Sequence, residues 1–192
     1  MEILKKLGYD AKLVLDPTLL LSTEQWNVLR TSQKCINEKY ILLYMLTYAF
    51  EPRPLIFQVL EHYQKELGCK IIALDGYEDC IGKTPLKIED ATDSSIPDFL
   101  NLFANASLVV TSSFHGTAFA LNYGRPLVSI TPASGDDRQG CLLKQLGLEQ
   151  CRLRASGGGM KLLNPFYDVD KTYTLLNELR MISYKVIKNS II

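Results

Sequence analysis

The sequence has no excess of charge of either sign. Its 192 residues include 21 Lys and Arg against 21 Asp and Glu, so the formal net charge is zero. Proteins that attract nucleic acid or anionic lipid through their overall field are strongly basic. The balance therefore argues against nucleic acid as a partner and predicts that any ligand is recognised by a few residues at one local site.

Histidine is scarce and paired cysteine is absent. The chain has two histidines and five cysteines, and no two cysteines form a Cys-x-x-Cys pair. An odd number of scattered cysteines does not make a disulfide framework, and a zinc site needs closely spaced ligands. The sequence thus predicts neither a structural metal nor a disulfide scaffold. The absence of a disulfide scaffold is typical of a reducing compartment.

Long hydrophobic runs are also missing. The most apolar segment, residues 40–50, is interrupted by polar residues and is shorter than the roughly 20 residues that a spanning helix needs. Residues 1–8, MEILKKLG, lack the apolar core of a signal peptide. These absences predict a cytoplasmic location without a transmembrane segment, and a place at the inner face of the membrane is compatible with them.

Four apolar runs of strand length alternate with helical patterns. They span residues 40–46, 70–74, 108–111 and 127–130. Residues 55–67 keep the 3.6-residue period of an amphipathic helix, and Ser95 with Pro97 is typical of the start of another. Strands that alternate with helices at this spacing predict a parallel α/β sheet with helices packed on it.

The stretch from residue 107 to residue 130 reads as strand, polar turn, helix and strand, with His115 in the turn and a helix from about Gly116. In parallel sheets such turns lie at the carboxyl edge, where ligands bind. No Asp or Glu occurs from Phe99 to Gly135, so nothing local neutralises the positive end of the helix dipole. Burial on both faces would explain apolar strands but not acid-free turns. The stretch therefore favours an anion site, with an ordinary core as the alternative.

Arg138 stands where the loop after the last of these strands becomes a short helix, predicted at residues 139–146. Its guanidinium can either reach the anion site or pair locally with Asp136 or Asp137. We expect the first arrangement, in which Arg138 and the 112–117 turn converge on one anion. Further along, residues 156–159 (SGGG) predict a hinge or lid, and a helix from about residue 170 to 188 is expected to strap across the domain.

Common catalytic patterns are not found. Ser112 or Ser113 with His115 suggests a hydrolase, but there is no Gly-x-Ser-x-Gly elbow and His115 is too near in sequence to be the usual distant base. None of the cysteines lies in a recognisable nucleophile context. Hydrolysis is therefore a weak interpretation.

Three motifs occur in order along the chain. They are residues 16–21 (DPTLLL), residues 110–117 (VTSSFHGT) and residues 137–148 (DRQGCLLKQLGL). With these motifs, about residues 13–150 resemble the polysaccharide pyruvyl transferase family. The resemblance implies a Rossmann-like parallel sheet with helices on both faces, similar to the C-terminal lobe of a GT-B-type fold. It divides the chain into residues 1–35, a remnant of or linker from an N-terminal lobe, a donor-binding domain at 36–165 and a C-terminal helix at 166–192.

The resemblance also implies an activity. Such enzymes transfer the pyruvyl group of phosphoenolpyruvate to two hydroxyls of a sugar or of a lipid-linked oligosaccharide, forming a ketal in cell-surface polysaccharide biosynthesis. By similarity, His115 is the acid that protonates the methylene carbon. The groups implied to hold the donor are the side chains of Ser112, Ser113 and Arg138 and the amides of Gly116 and Thr117. Phosphoenolpyruvate is the donor substrate, and no cofactor or metal is implied.

The same resemblance places part of the acceptor site in an N-terminal half, so the chain by itself is expected to be inactive. Two other functions stay open. One is the donor-binding lobe of a glycosyltransferase that uses a nucleotide sugar, although such lobes commonly hold the ribose with a Glu and none occurs between Glu89 and Glu149. The other is a non-catalytic binding module.

Overall fold

The computed structural model describes residues 6–8, 11–30, 36–135, 137–155 and 164–191. Its sheet contains the strands β1 (Tyr40–Tyr44), β2 (Lys70–Asp75), β3 (Ile88–Asp90), β4 (Leu108–Thr111), β5 (Leu127–Thr131) and β6 (Arg152–Arg154). Its helices are α1 (Pro17–Leu20), α2 (Thr23–Asn27), α3 (Leu55–Leu67), α4 (Ile96–Asn105), α5 (Phe114–Asn122), α6 (Arg138–Gln145) and α7 (Val169–Ile191). A 3-10 turn at Glu149–Cys151 precedes β6.

The strands form one parallel sheet in the order β3-β2-β1-β4-β5-β6. This is the Rossmann order, in which the chain proceeds outward in one direction from β1 and in the other from β4. Ligands in such sheets bind beyond the carboxyl ends of the two central strands. Here those ends are Tyr44 and Thr111, which are paired in the register of β1 with β4. The predicted Rossmann-like α/β fold is confirmed.

The four predicted apolar strands are confirmed. Their residues are largely buried, with packing on both faces of the sheet. In β1, Leu42 packs in one core with α4, α5 and α6, whereas Ile41 and Leu43 pack in a second core with α3. Strands covered in this way are continuously apolar, which makes them visible in a sequence. The first strand ends earlier than predicted, at Tyr44, and the edge strand β3 lies within residues 88–90.

The segment that leads to α1 is irregular. Residues 11–16 have no regular secondary structure, although residues 12–15 have a strand-like pattern. The backbone amide of Leu15 instead donates to Oγ of Ser183 on α7, at 2.9 Å. This segment therefore packs on the domain without joining the sheet.

Arg180 of α7 fixes the N-terminal helices in place. Its buried guanidinium donates to the carbonyl oxygens of Leu19 and Leu21, at 2.7 and 3.1 Å. It also donates to Oδ1 of Asn122, at 2.7 Å, and the Asn122 amide donates back to the carbonyl of Leu21. The expected strapping helix thus clamps α1 against the end of α5. The division of the chain at residues 35 and 165 stays a prediction.

Within the described part of the chain, no helix combines the length and the hydrophobicity needed to cross a bilayer. The predicted hinge at residues 156–159 and the predicted pairing partner Asp136 lie outside the described residues.

Candidate active site at the carboxyl edge of the sheet

Helix α5 begins directly after β4, and Ser113 caps it. The Ser113 hydroxyl accepts from the amide of Gly116 at 3.4 Å, and the Ser113 carbonyl accepts from the amide of Thr117 at 3.0 Å. A serine in extended conformation is a favourable N-cap, so the helix starts at Phe114 and not near Gly116 as predicted. His115 therefore lies in the first turn of the helix.

The predicted donor-binding hydroxyls make bonds inside the protein. Oγ of Ser112 donates to the carbonyl of Leu46 at 2.9 Å and accepts from the Leu46 amide at 2.8 Å. This pair of bonds ties the turn after β4 to the chain leaving β1, across the centre of the sheet. Oγ1 of Thr117 shares a hydrogen bond with Oγ of Ser129 at 2.8 Å. In this structure Ser112, Ser113 and Thr117 are buried and hold the turn in shape, and their contact with a donor stays a prediction.

Gly116 has a packing reason to be glycine. A Cβ atom at this position would overlap Oγ1 of Thr111 and would lie 2.9 Å from Cδ1 of Tyr44. The absence of a side chain lets α5 sit directly on the carboxyl ends of β1 and β4. The amides of Gly116 and Thr117, predicted to hold the donor, are used by the Ser113 cap in this structure.

The imidazole of His115 lies at the surface and does not fill the core. Its side chain is 50% exposed, and its Nε2 atom is 3.9 Å from Oδ1 of Asp16. That separation is too long for a hydrogen bond but within the range of an ion pair when the ring is protonated. The ring of Phe114 lies beside it, at 5.6 Å between centroids.

Arg138 is the first residue of α6, as its place at the loop-to-helix boundary predicts. Its Nη2 atom donates to Oδ2 of Asp16 at 2.7 Å, and its Cζ atom stands 3.9 Å from the centroid of the Phe114 ring. The predicted local partner Asp137 is engaged elsewhere. Its carboxylate accepts from the amide of Gly140 at 2.6 Å and pairs with Arg152. The guanidinium thus turns toward the 112–117 turn, as predicted.

The prediction of a free guanidinium needs one correction, and the reason is Asp16. Its side chain is only 14% exposed, and its Oδ1 atom accepts from the amide and the hydroxyl of Thr18, at 3.0 and 2.7 Å. Burial raises the pKa of Asp16, but the Thr18 hydrogen bonds and the nearby His115 and Arg138 outweigh burial and lower it overall. A carboxylate therefore accepts a hydrogen bond from the guanidinium that was predicted to be free for an anion.

Sequence analysis did not assign Asp16 to the site. The window around His115 is free of acids, yet folding brings in a carboxylate from a distant segment. The available signals were the Asp-Pro turn and the place of Asp16 at the head of one motif. Neither signal predicts the contact with Arg138, because that contact depends on how α7 and α5 hold α1.

An open groove lies beside this trio and has a volume of about 780 Å³. The polar residues among its lining are Asp16, Asp137, Arg138, Cys141, Gln145 and Ser183. The apolar residues are Leu13, Val14, Leu15, Leu19, Phe114, Leu142, Leu179 and Ile182. The volume is in the range of small-molecule sites. Among the residues that the structure describes, no three His, Cys, Asp or Glu side chains are grouped as metal ligands would be.

The sequence model of the polysaccharide pyruvyl transferase family matches residues 1–134 of the chain. No curated protein matches this chain. Two solved structures are similar in shape. The glycotransferase of kitacinnamycin is 16% identical, with a TM-score of 0.49, over 80% of this chain and 42% of its own. The glycosyltransferase SnogD from Streptomyces nogalater is 14% identical, with a TM-score of 0.48, over 94% of this chain and 48% of its own. The chain spans less than half the length of either enzyme.

Proposed function

Because the chain belongs to the polysaccharide pyruvyl transferase family, we propose that it is the donor-binding part of an enzyme that transfers pyruvyl from phosphoenolpyruvate to a sugar. Two hydroxyls of the acceptor, a sugar or a lipid-linked oligosaccharide, become the oxygens of a cyclic ketal. The reaction belongs to the biosynthesis of a cell-surface polysaccharide in the cytoplasm, with phosphoenolpyruvate as the only donor and no further cofactor.

One observation supports this proposal most directly. A half-exposed imidazole and a mostly exposed guanidinium both contact Asp16 at the carboxyl edge of the sheet, next to an open groove. Phosphoenolpyruvate carries a phosphate and a carboxylate on one enol carbon. A guanidinium suits either anion because its planar fork offers two parallel donors. An imidazole suits the remaining requirement, which is an acid for the methylene carbon.

The chemical step uses His115 as that acid. Its proton passes to the methylene carbon, which becomes a methyl group, while the first acceptor hydroxyl adds to the enol carbon and loses its proton. Phosphate then leaves as the second hydroxyl closes the ketal. One of the two hydroxyl protons restores the imidazolium and the other leaves with phosphate, so protons and bonds balance. Arg138 neutralises charge on the donor throughout.

Ligand binding to the 192-residue chain tests the proposal. Calorimetry with phosphoenolpyruvate, inorganic phosphate and UDP-glucose separates a pyruvyl donor site from a nucleotide-sugar site. We expect phosphoenolpyruvate to bind, phosphate to compete with it, and UDP-glucose not to displace it. Binding of UDP-glucose without binding of phosphoenolpyruvate would instead indicate a glycosyltransferase lobe, and binding of neither would indicate a non-catalytic module.

A matched pair of variants on α6 makes the test specific. Arg138→Gln removes the guanidinium proposed to contact the donor, and Lys144→Gln removes a positive charge from the exposed last turn of the same helix. A hydrogen bond to a charged group contributes about 1.5–3 kcal/mol, so Arg138→Gln should weaken phosphoenolpyruvate binding by about tenfold or more. Lys144→Gln should change it less than about twofold, because an exposed distant charge is screened. Equal effects of the two would remove Arg138 from the donor site.

A further inference from the structure

The two carboxylate oxygens of Asp16 have different partners. Oδ1 caps α1 through Thr18 and faces His115, whereas Oδ2 accepts the hydrogen bond from Arg138. Capping needs only the first oxygen, and an uncharged Asn would serve it equally well. The second oxygen and the negative charge are therefore left to act on the site.

Hydrogen bonds to the backbone that follows Asp16 fix its position. The carbonyls of Leu19 and Leu21, on either side of the end of α1, accept from buried Arg180. The carbonyl of Thr18 accepts from the indole of Trp26 at 3.0 Å and from the Asn122 amide at 3.2 Å. A carboxylate held by such a network sets the positions of its partners more than they set its own, because both partner side chains are at least half exposed.

A second aspartate, Asp90, makes the same side-chain hydrogen bonds as Asp16 at a position away from the site. Oδ1 of Asp90 accepts from the amide and the hydroxyl of Thr92, at 2.9 and 2.8 Å, in the same arrangement as Asp16 with Thr18. Asp90 ends β3 at the far edge of the sheet from β6 and is exposed. The local turn is thus the same at both positions, and the contacts with His115 and Arg138 are the feature that distinguishes Asp16.

We propose that Asp16 is a positioning residue of the pyruvyl transfer site, which holds His115 and Arg138 around the donor. The inference rests on the proposed function of this site. Asp16 itself does not touch the reacting atoms and keeps its charge throughout. When His115 gives up its proton the attraction to Asp16 is lost, and a proton from an acceptor hydroxyl restores it.

Among the described residues, the ion pairs around the trio involve few groups. Asp16 is faced by Arg138 from α6 and by His115 from α5, while the nearby Asp137 is engaged by Arg152. Replacing Asp16 by Asn keeps an oxygen for the Thr18 hydrogen bonds and removes both the charge and the acceptor for Arg138. Asp90→Asn is the matched control, since it makes the same change in the same turn at a distance from the site.

The test compares the NMR signals of the histidine rings at pH 7 in the 192-residue chain, which has only two histidines. His62 lies near Glu66 on α3, at 3.4 Å, and serves as an internal reference. We expect the ring signals of His115 to shift in Asp16→Asn, because the ring loses the carboxylate that faces it, while those of His62 stay unchanged and neither ring is affected in Asp90→Asn. Thermal unfolding of both variants confirms that they fold. Unchanged His115 ring signals in folded Asp16→Asn would overturn the inference.

A turnover measurement separates this inference from the function on which it rests. In a preparation that transfers pyruvyl, Asp16→Asn should lower kcat by at least about tenfold, within the range that one acid catalyst contributes. Asp90→Asn should leave kcat within about twofold of the native value. If the native protein transfers no pyruvyl, the proposed function fails, whereas the NMR comparison still decides whether Asp16 acts on His115.

Discussion

Oδ2 of Asp16 lies 2.7 Å from Nη2 of Arg138, although 122 positions separate the two residues in the sequence. The contact joins the short helix α1 to the start of α6 and passes directly beside the first turn of α5. The proposed acid and donor-binding groups thus lie on the Rossmann domain, whereas the carboxylate proposed to position them lies on the segment before α1.

In a preparation that transfers pyruvyl, His115→Gln should abolish the transfer while leaving the fold intact. The imidazole is half exposed and contacts Asp16 at only 3.9 Å, so its loss should change Tm by no more than a few degrees. Phosphoenolpyruvate should still bind, because Arg138 is unchanged. Calorimetry, thermal unfolding and an assay for released phosphate measure the three quantities. His62→Gln, on the surface of α3, is the control, and retained transfer in His115→Gln would exclude His115 as the acid.

The stabilising effect of Asp16 should depend on pH in one direction. The pKa of Asp16 is lowered in the folded protein, so its charge stabilises the fold above its unfolded pKa of about 4 and ceases to do so as pH falls through the lower folded value. Because Arg138 is 65% exposed, the effect should be about 1 kcal/mol or less. Urea unfolding of native protein and Asp16→Asn between pH 7 and pH 3, followed by Trp26 fluorescence, should show a difference that disappears in acid. A difference that grows in acid would contradict the assignment.

Gly116→Ala should destabilise the protein more than Gly140→Ala. At position 116 the added methyl group would meet the side chains of Thr111 and Tyr44 at the centre of the sheet. Overpacking of this kind costs about 1–3 kcal/mol. At position 140 it would meet the guanidinium of Arg152, which is bonded to Asp137 and Thr131 but ends a flexible side chain, and Ala favours the helix. Denaturant unfolding of the two variants gives the comparison, and a smaller loss at position 116 would show that α5 can shift to make room.

Arg180→Met should destabilise the protein by about 2–5 kcal/mol, because it removes a donor from two buried acceptors, on Leu19 and Asn122, and from a partly buried one on Leu21. Lys185→Met removes a positive charge from an exposed position of the same helix and should cost less than about 0.5 kcal/mol. Urea unfolding measures both. Comparable losses in the two variants would mean that α7 contributes through its length and not through this clamp.

Sequence patterns predicted the sheet because its central strands are buried on both faces and are apolar without interruption. They missed β6, in which Leu153 is the only apolar residue between two arginines, since an edge strand of three residues has no periodicity to detect. They placed the start of α5 two residues late because Ser112 and Ser113 are typical of turns. The capping bond of Ser113 to Gly116 shows that the second serine begins the helix.

The candidate site was predictable only in part. His115 and Arg138 were accessible to sequence reasoning because each follows a predicted strand, and such turns meet at one edge of a parallel sheet. Asp16 was not, because no local pattern connects it to either residue. The internal bonds of Ser112 and Thr117 were equally hidden, since a hydroxyl next to an anion site and a hydroxyl that ties two strands together look alike in a sequence.

The Arg180 clamp also bears on when the site forms during folding. Its bond to the Leu19 carbonyl spans 161 positions, and closing so long a loop is entropically costly until the intervening domain has formed. The sheet and α5 can assemble from nearer contacts, so His115 can be in place before Asp16 arrives. A partly folded chain would then present an imidazole and a guanidinium without their shared carboxylate. Completion of the site is thereby tied to the docking of the last helix, and only the fully folded chain has all three groups together.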